Sequence, residues 1–204
     1  MAGGFNPGPV DDLGPPIVID EGTLARIEMP SPGPVGLQAK GGSGKTGVVS
    51  GDQVVSFARD RLGQSVGDGQ CFALVDQALR NAGAKSAADF GTVTPDADYV
   101  WGSRINLSDV QPGDIIQFRN YRYDRTIDTA TRTDTDFQER PHHTAIVESM
   151  GANGAITVLE QNVPNGSPVQ RSQLFFSNVN TTSGGRTTTV TVQGRFWFYR
   201  PQPR

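Results

Sequence analysis

The chain holds only one cysteine and two histidines. A single cysteine excludes an intrachain disulfide framework and any multi-thiolate zinc site. A free thiol is compatible with a reducing compartment. No apolar run approaches the ~20 residues of a membrane-spanning helix. The charges nearly balance, at a net −3, which excludes the strongly basic surface of a dedicated nucleic-acid binder. The start, Met1-Ala2-Gly3-Gly4-Phe5-Asn6-Pro7, has neither a basic n-region nor an apolar h-region. The expectation is therefore no conventional secretory signal, synthesis in the cytoplasm, and any export by another route. Hydrophobic residues make up only 35% of the 204 positions, so part of the chain is expected to lie outside a packed core.

That part is residues 1–50. Seven of the 14 prolines fall before residue 35, and Gly41, Gly42, Gly44 and Gly47 follow. Such a composition favours an extended tail or linker. Two short apolar pieces, at 17–19 and 24–27, could lie along the domain as an edge strand or a cover. The string Lys40-Gly41-Gly42-Ser43-Gly44-Lys45-Thr46 is similar to a variant phosphate-binding loop. A phosphate cradle needs a buried strand before it and a helix after it. Proline-rich and glycine-rich segments stand there instead, so the linker reading is preferred.

The folded domain is expected over residues 51–204. Asp52 can cap a helix with apolar positions Val54, Val55, Phe57, Ala58 and Leu62, stopped by Gly63. A second helix opens at Cys71. There Cys71, Leu74, Val75, Ala78 and Leu79 follow the spacing of one buried face, and Asn81-Ala82-Gly83 ends it. Strands are then expected at 114–118, 143–148, 155–161 and 190–199. Helices followed by a run of strands argue for an α+β fold with an antiparallel sheet. Residues 119–140 and 163–189 read as long polar insertions, the second with a turn at Gly184-Gly185. In the first, Asp124, Asp128, Asp134 and Asp136 lack the glycine turn and closing glutamate of an EF-hand loop and read as solvated charges.

The chemistry centres on Cys71. A helix N-terminus favours a thiolate, and the exposed N–H groups there can hold an oxyanion. The plain alternative is a small buried hydrophobe on its helix face. In His143-Thr144-Ala145-Ile146-Val147, strand alternation places His143 with Ala145 and Val147, while His142 points the other way or lies in the turn after Pro141. In the next strand the same rule places Glu160 and Asn162 with Ile156 and Val158. If the two strands pair through a turn at 151–154, Glu160 or Asn162 can orient His143, the third role in a triad. The alternative is solvated histidines beside a fraying strand end.

Four pieces occur in the order found in the CHAP amidases. They are Gly69-Gln70-Cys71 opening a helix, Pro112-Gly113-Asp114-Ile115-Ile116 opening a strand, His143-Thr144-Ala145-Ile146-Val147, and Glu160-Gln161-Asn162. The closing Phe196-Trp197-Phe198-Tyr199-Arg200-Pro201 also looks like their last strand. Residues 52–201 thus resemble the CHAP and NlpC/P60 group of papain-like cysteine hydrolases. His142 stands where members often carry glycine. The resemblance implies N-terminal helices packed on an antiparallel sheet, with Cys71 as nucleophile, His143 as base and Glu160 or Asn162 as orienting group. Gln70 and Gln64 are candidates for an oxyanion donor, with solvated glutamines as the alternative. No metal or cofactor is implied. Two stretches, 99–102 and 113–121, are similar to domains at the ends of some eukaryotic proline-rich and actin-patch adaptor proteins.

The expected activity is that of a cysteine amidase or peptidase cutting an amide, first of all in peptidoglycan peptides. The alternatives are a peptidase acting on proteins or peptides, and a non-catalytic module that presents its proline-rich tail to a protein partner.

Overall fold

The computed structural model of the chain describes residues 49–151 and 154–204. The expected tail up to residue 48, its short apolar pieces and the phosphate-loop-like string lie outside the described residues.

Helix α1 (Gly51–Arg59) buries Val54, Val55, Phe57 and Ala58. Its N-cap is Ser50 rather than Asp52, which sits in the first turn where a carboxylate suits the positive end of the helix. The helix stops before Leu62, and a turn carries the chain to Gly63. Gly51 packs against the turn at Pro112-Gly113. A Cβ on Gly51 would stand 2.3 Å from the Pro112 carbonyl oxygen, so the start of α1 is seated on the entry to a strand. Helix α2 (Cys71–Asn81) begins at Cys71 and buries Leu74, Val75, Ala78 and Leu79, as its spacing predicts.

Seven strands follow: β1 (Ser103–Ile105), β2 (Ile115–Thr129), β3 (Thr133–Met150), β4 (Ala155–Glu160), β5 (Gln170–Phe175), β6 (Val179–Ser183) and β7 (Arg186–Arg200). All described pairings are antiparallel, in the order β1-β7-β2-β3-β4-β5, with β6 also against β7. The fold is α+β. Alternation along the central strands separates two cores. Ile115, Ile146, Leu159 and Tyr199 join the buried faces of α1 and α2. Ile116, Phe118, Ala145, Val147, Val158 and Phe198 join Phe175 and Phe176 on the other face.

Neither polar insertion is a loop. Residues 119–140 extend β2 and β3 into a long hairpin, closed by a turn in which the Thr129 N–H donates to the Arg132 carbonyl at 2.8 Å. Beyond Tyr123 both faces are mostly polar, so no hydrophobic period marks the outer strands. Instead Arg122 pairs with Glu139, and Arg125 with Asp136, each directly across the ladder. Asp124 pairs with Arg122, and Asp134 with Arg132. Tyr121 and Tyr123 turn inward, and the Tyr121 hydroxyl donates to the Phe175 carbonyl at 2.6 Å. The second insertion contains β5 and β6, and the expected turn at Gly184-Gly185 joins β6 to β7.

The hairpin has one irregularity. Asn120 takes a left-handed φ of 52° opposite Pro141, and the register of β2 on β7 shifts there. In regular strands Phe118 and Tyr121 would face opposite sides. Here both lie in the second core, with ring centroids 5.1 Å apart. Gly194 lies against the irregularity with φ 86°, and a Cβ on it would come within 2.0 Å of the Asn120 carbonyl oxygen. Gly194→Ala is therefore expected to destabilise the domain by about 2–3 kcal/mol, while Gln193→Ala beside it stays within about 0.5 kcal/mol. Urea denaturation of the two variants measures the difference.

Candidate active site

Cys71 reaches its place through a short loop. The Gly69 N–H donates to the Val66 carbonyl at 3.0 Å, and the Gln70 N–H to Asp68 Oδ1 at 3.0 Å. One buried side chain holds this loop to the sheet. Gln161 Oε1 accepts from the Val66 N–H at 2.9 Å. Gln161 Nε2 donates to the carbonyls of Val66 at 3.0 Å and Gln70 at 2.6 Å. The residue next to Glu160 thus fixes the loop that delivers the thiol. Nothing in the sequence marks Gln161 for this part, because a glutamine at a strand end is most often solvated.

The thiol faces the edge of β3. Burial opposes the thiolate, but the hydrogen bond and charge of His143, with the backbone N–H groups of Thr144 and Phe72, outweigh it and hold the thiol below its ordinary value. His143 is buried. Burial disfavours the imidazolium, and contacts with Cys71 and Glu160 outweigh that, so its pKa is raised. His143 Nε2 lies 3.0 Å from Glu160 Oε2. The N–H is poorly aligned on that oxygen and makes no geometrically complete hydrogen bond. With Nε2 turned to the carboxylate, Nδ1 is the nitrogen left for the thiol.

Glu160 is fully buried and has a second partner. Arg140 Nε donates to Glu160 Oε2 at 2.9 Å, and Arg140 Nη2 to Oε1 at 2.5 Å. Burial raises the carboxyl pKa, yet His143 and Arg140 together bring it down to about 2. Arg140 lies within the polar stretch 119–140, where neither composition nor alternation singles it out. The irregularity at Asn120 and Pro141 is what puts Arg140 and His143, three residues apart, on one carboxylate.

Of the two orienting candidates, the geometry gathers Glu160 at His143. Asn162 lies beyond the end of β4 with φ 68°, so alternation no longer governs it. Its Nδ2 donates to Gln70 Oε1 at 3.0 Å, and its Oδ1 accepts from the Gly166 N–H at 2.7 Å. Gln70 borders the cleft as the N-cap of α2. Gln64 is exposed and does not border it. His142 is in β3 rather than a turn, and its Nε2 meets the Ala97 carbonyl at 2.8 Å. With Arg119, which binds Asp98 and the Asp96 carbonyl, it ties segment 94–99 over one side of the site.

The resulting cleft encloses about 690 Å³. Cys71 and His143 stand in its wall, together with Tyr99 and Asn162 to Asn165. Among the described residues no three His, Cys, Asp or Glu side chains converge as metal ligands. No described helix is long and apolar enough to cross a membrane.

Two measurements probe the site. Iodoacetamide labelling of Cys71 is expected to show a midpoint below the ~8.5 of a free thiol. Gln161→Ala, which strands the Val66 and Gln70 backbone groups, is expected to move that midpoint upward and to cost about 1–3 kcal/mol of stability. The second concerns acid. A carboxyl that titrates near 2 when folded contributes its full stabilisation above its ordinary 4.5, and loses it as pH falls towards 2. Urea midpoints of the native chain are expected to fall through that window, and those of Glu160→Gln to fall less.

A cysteine beside a helix start, an imidazole on the adjoining strand and a carboxylate behind it are the arrangement of a papain-like fold. A family model, the AIM3/BBC1 cysteine proteinase-fold domain, matches residues 47–184. No curated protein and no solved structure matches the chain. The chain belongs to the AIM3/BBC1 cysteine proteinase-fold domain family.

Proposed function

We propose that residues 51–204 form a cysteine-dependent hydrolase of peptide amides, of the CHAP and NlpC/P60 kind, and that residues 1–50 form a tail able to present extended segments to a protein partner. The observation that carries this reading is the contact chain Cys71–His143–Glu160 at the wall of a cleft.

The Cys71 thiolate attacks the amide carbonyl, and a C–S bond forms as the carbonyl π pair moves to oxygen. Backbone N–H groups at the start of α2 face the developing oxyanion. The His143 imidazolium gives its proton to the leaving nitrogen, and the C–N bond breaks to leave a thioester. His143 then takes a proton from water, the hydroxide attacks the thioester, and the acid leaves as the thiolate returns. Glu160 keeps the ring oriented and stabilises its charged form.

The substrate class we favour is a peptide, because the family is described by its proteinase fold. The resemblance to CHAP amidases supports peptidoglycan peptides as the narrower choice. A second reading, a non-catalytic peptide-binding module, is favoured by one observation. Arg140 engages both Glu160 oxygens, and the His143 N–H is poorly aligned on them.

The test is hydrolysis by the native chain of a mixed peptide pool and, separately, of purified sacculi, followed by mass spectrometry. Released fragments are expected from one of the two. Cys71→Ala abolishes release, and His143→Ala lowers it by about 10³-fold or more. Release that persists in Cys71→Ala contradicts the mechanism. No release from either substrate, with a thiol that labels only on unfolding, favours the binding module.

A further inference from the structure

Part of the cleft is lined by rings that touch one another. Phe72 follows the nucleophile on α2, and its ring centroid lies 5.0 Å from that of Tyr99 and 5.2 Å from that of Trp101. Trp101 is fully buried, and its indole N–H donates to Gln117 Oε1 at 3.2 Å, so the rings rest on a fixed support. Tyr99 continues the run to His142, with centroids 5.6 Å apart. Phe72, Tyr99 and His142 all border the cleft, and Val93 and Pro95 join them from the segment before Tyr99. Val93 is exposed. Burial, and after it the charge of Cys71, raise the pKa of the Tyr99 hydroxyl, which places this group within electrostatic reach of the nucleophile.

The segment is held in place by bonds of its own. The Tyr99 hydroxyl donates to the Thr94 carbonyl at 2.9 Å, the His142 Nε2–H to the Ala97 carbonyl at 2.8 Å, and Arg119 Nε to Asp98 Oδ1 at 2.8 Å. A wall fixed in this way loses little freedom when a ligand side chain settles on it. His142 is the distinctive part, because it stands where CHAP amidases often carry glycine. Glycine there would remove both the ring beside Tyr99 and the bond to Ala97.

The charges around the cleft do not favour an acidic ligand. Asp68, Glu139 and Arg140 border it. Arg140 is almost fully buried, and its N–H groups go to both Glu160 oxygens, the Glu139 carbonyl and Gln138 Oε1. The His143 charge is shared between Glu160 and the thiolate. Glu139 is paired with Arg122. A carboxylate on a ligand would meet Asp68 and Glu139, and every cation bordering the cleft already has its anion.

We infer that this wall is a specificity subsite: the cleft selects a peptide with an uncharged aromatic or branched aliphatic side chain, which sits on Phe72, Val93, Tyr99 and His142 beside Cys71, and it discriminates against an acidic side chain in that place. Each methylene laid on such a surface contributes, and a side chain several methylenes larger gains about tenfold or more in affinity. The inference rests on the reading of the cleft as a peptide site. It does not require turnover.

The test is equilibrium binding of capped peptides, acetyl-Gly-Gly-X-Gly-Gly-amide with X as Phe, Leu, Ala, Glu or Lys. Each is titrated into the full chain carrying Cys71→Ala, so that nothing is cut, and followed by NMR through protein amide and methyl shifts. The Phe and Leu peptides are expected to bind about tenfold or more tighter than the Ala peptide, with the Glu peptide weakest and the shifts centred on Val93 and Tyr99. His142→Gly and Val93→Asp, each added to that chain, are expected to reduce the Phe-to-Ala ratio by about fivefold or more. Val93 is exposed, so Val93→Asp keeps the fold, which its amide spectrum checks. Ala, Glu or Lys peptides that bind as tightly as Phe overturn the subsite and leave the peptide reading of the cleft in place. A ratio that survives Val93→Asp in a folded chain overturns it too. If no peptide binds, the peptide reading fails and the subsite fails with it.

Discussion

The Glu160 carboxylate is fully buried; the Arg140 guanidinium engages both of its oxygens, and the His143 imidazole shares one of them. A lone carboxylate in such a place would take up a proton rather than stay charged. His143 and Arg140, itself almost fully buried, together keep it ionised. Breaking a buried pair by removing one partner costs about 3–5 kcal/mol, because the other charge is left stranded. The electrostatics of the site thus depend on a buried pair, Arg140 and Glu160. The guanidinium fixes the charge, the charge favours the imidazolium, and the imidazolium favours the thiolate. The same guanidinium also moderates the chain, since it offsets part of the field that Glu160 places on His143.

Backbone geometry makes that pair reachable. The irregularity at Asn120 and Pro141 lets Arg140 and His143 share one face of β3. Gly194 leaves room for it on the neighbouring strand. On the far side of the carboxylate, Gln161 ties the loop before Cys71 to the end of β4. Glu160 and Gln161 are consecutive, so one strand end meets His143 with one side chain and holds the loop before Cys71 with the next. The helix and the sheet are held together at the point where chemistry would occur.

Much of this was legible in the sequence where packing imposes a period. The buried face of α2, its start at Cys71, the alternation in residues 143–147 and the pairing of β3 with β4 all follow from spacing. The long hairpin was not legible, because its outer strands are polar on both faces and hydrophobicity carries no period there. Pairing across it is written instead in Arg–Asp and Arg–Glu partners 11 and 17 residues apart, a signal that single residues do not reveal. Arg140 escaped for the same reason, and because alternation alone assigns it to the face opposite His143. Asn162 was placed beside Glu160 on the assumption that β4 continues. A left-handed φ at Asn162 turns the chain away, and its amide serves the loop instead.

The central claim is that Cys71 and His143 are coupled over a carboxylate that stays charged. With only two histidines in the chain, imidazole resonances can be assigned and titrated by NMR. The account predicts that His143 titrates above the usual 6.5, and that Cys71→Ala lowers its midpoint because the thiolate no longer favours the imidazolium. A His143 midpoint at or below the ordinary value, unmoved by loss of the thiol, would contradict it.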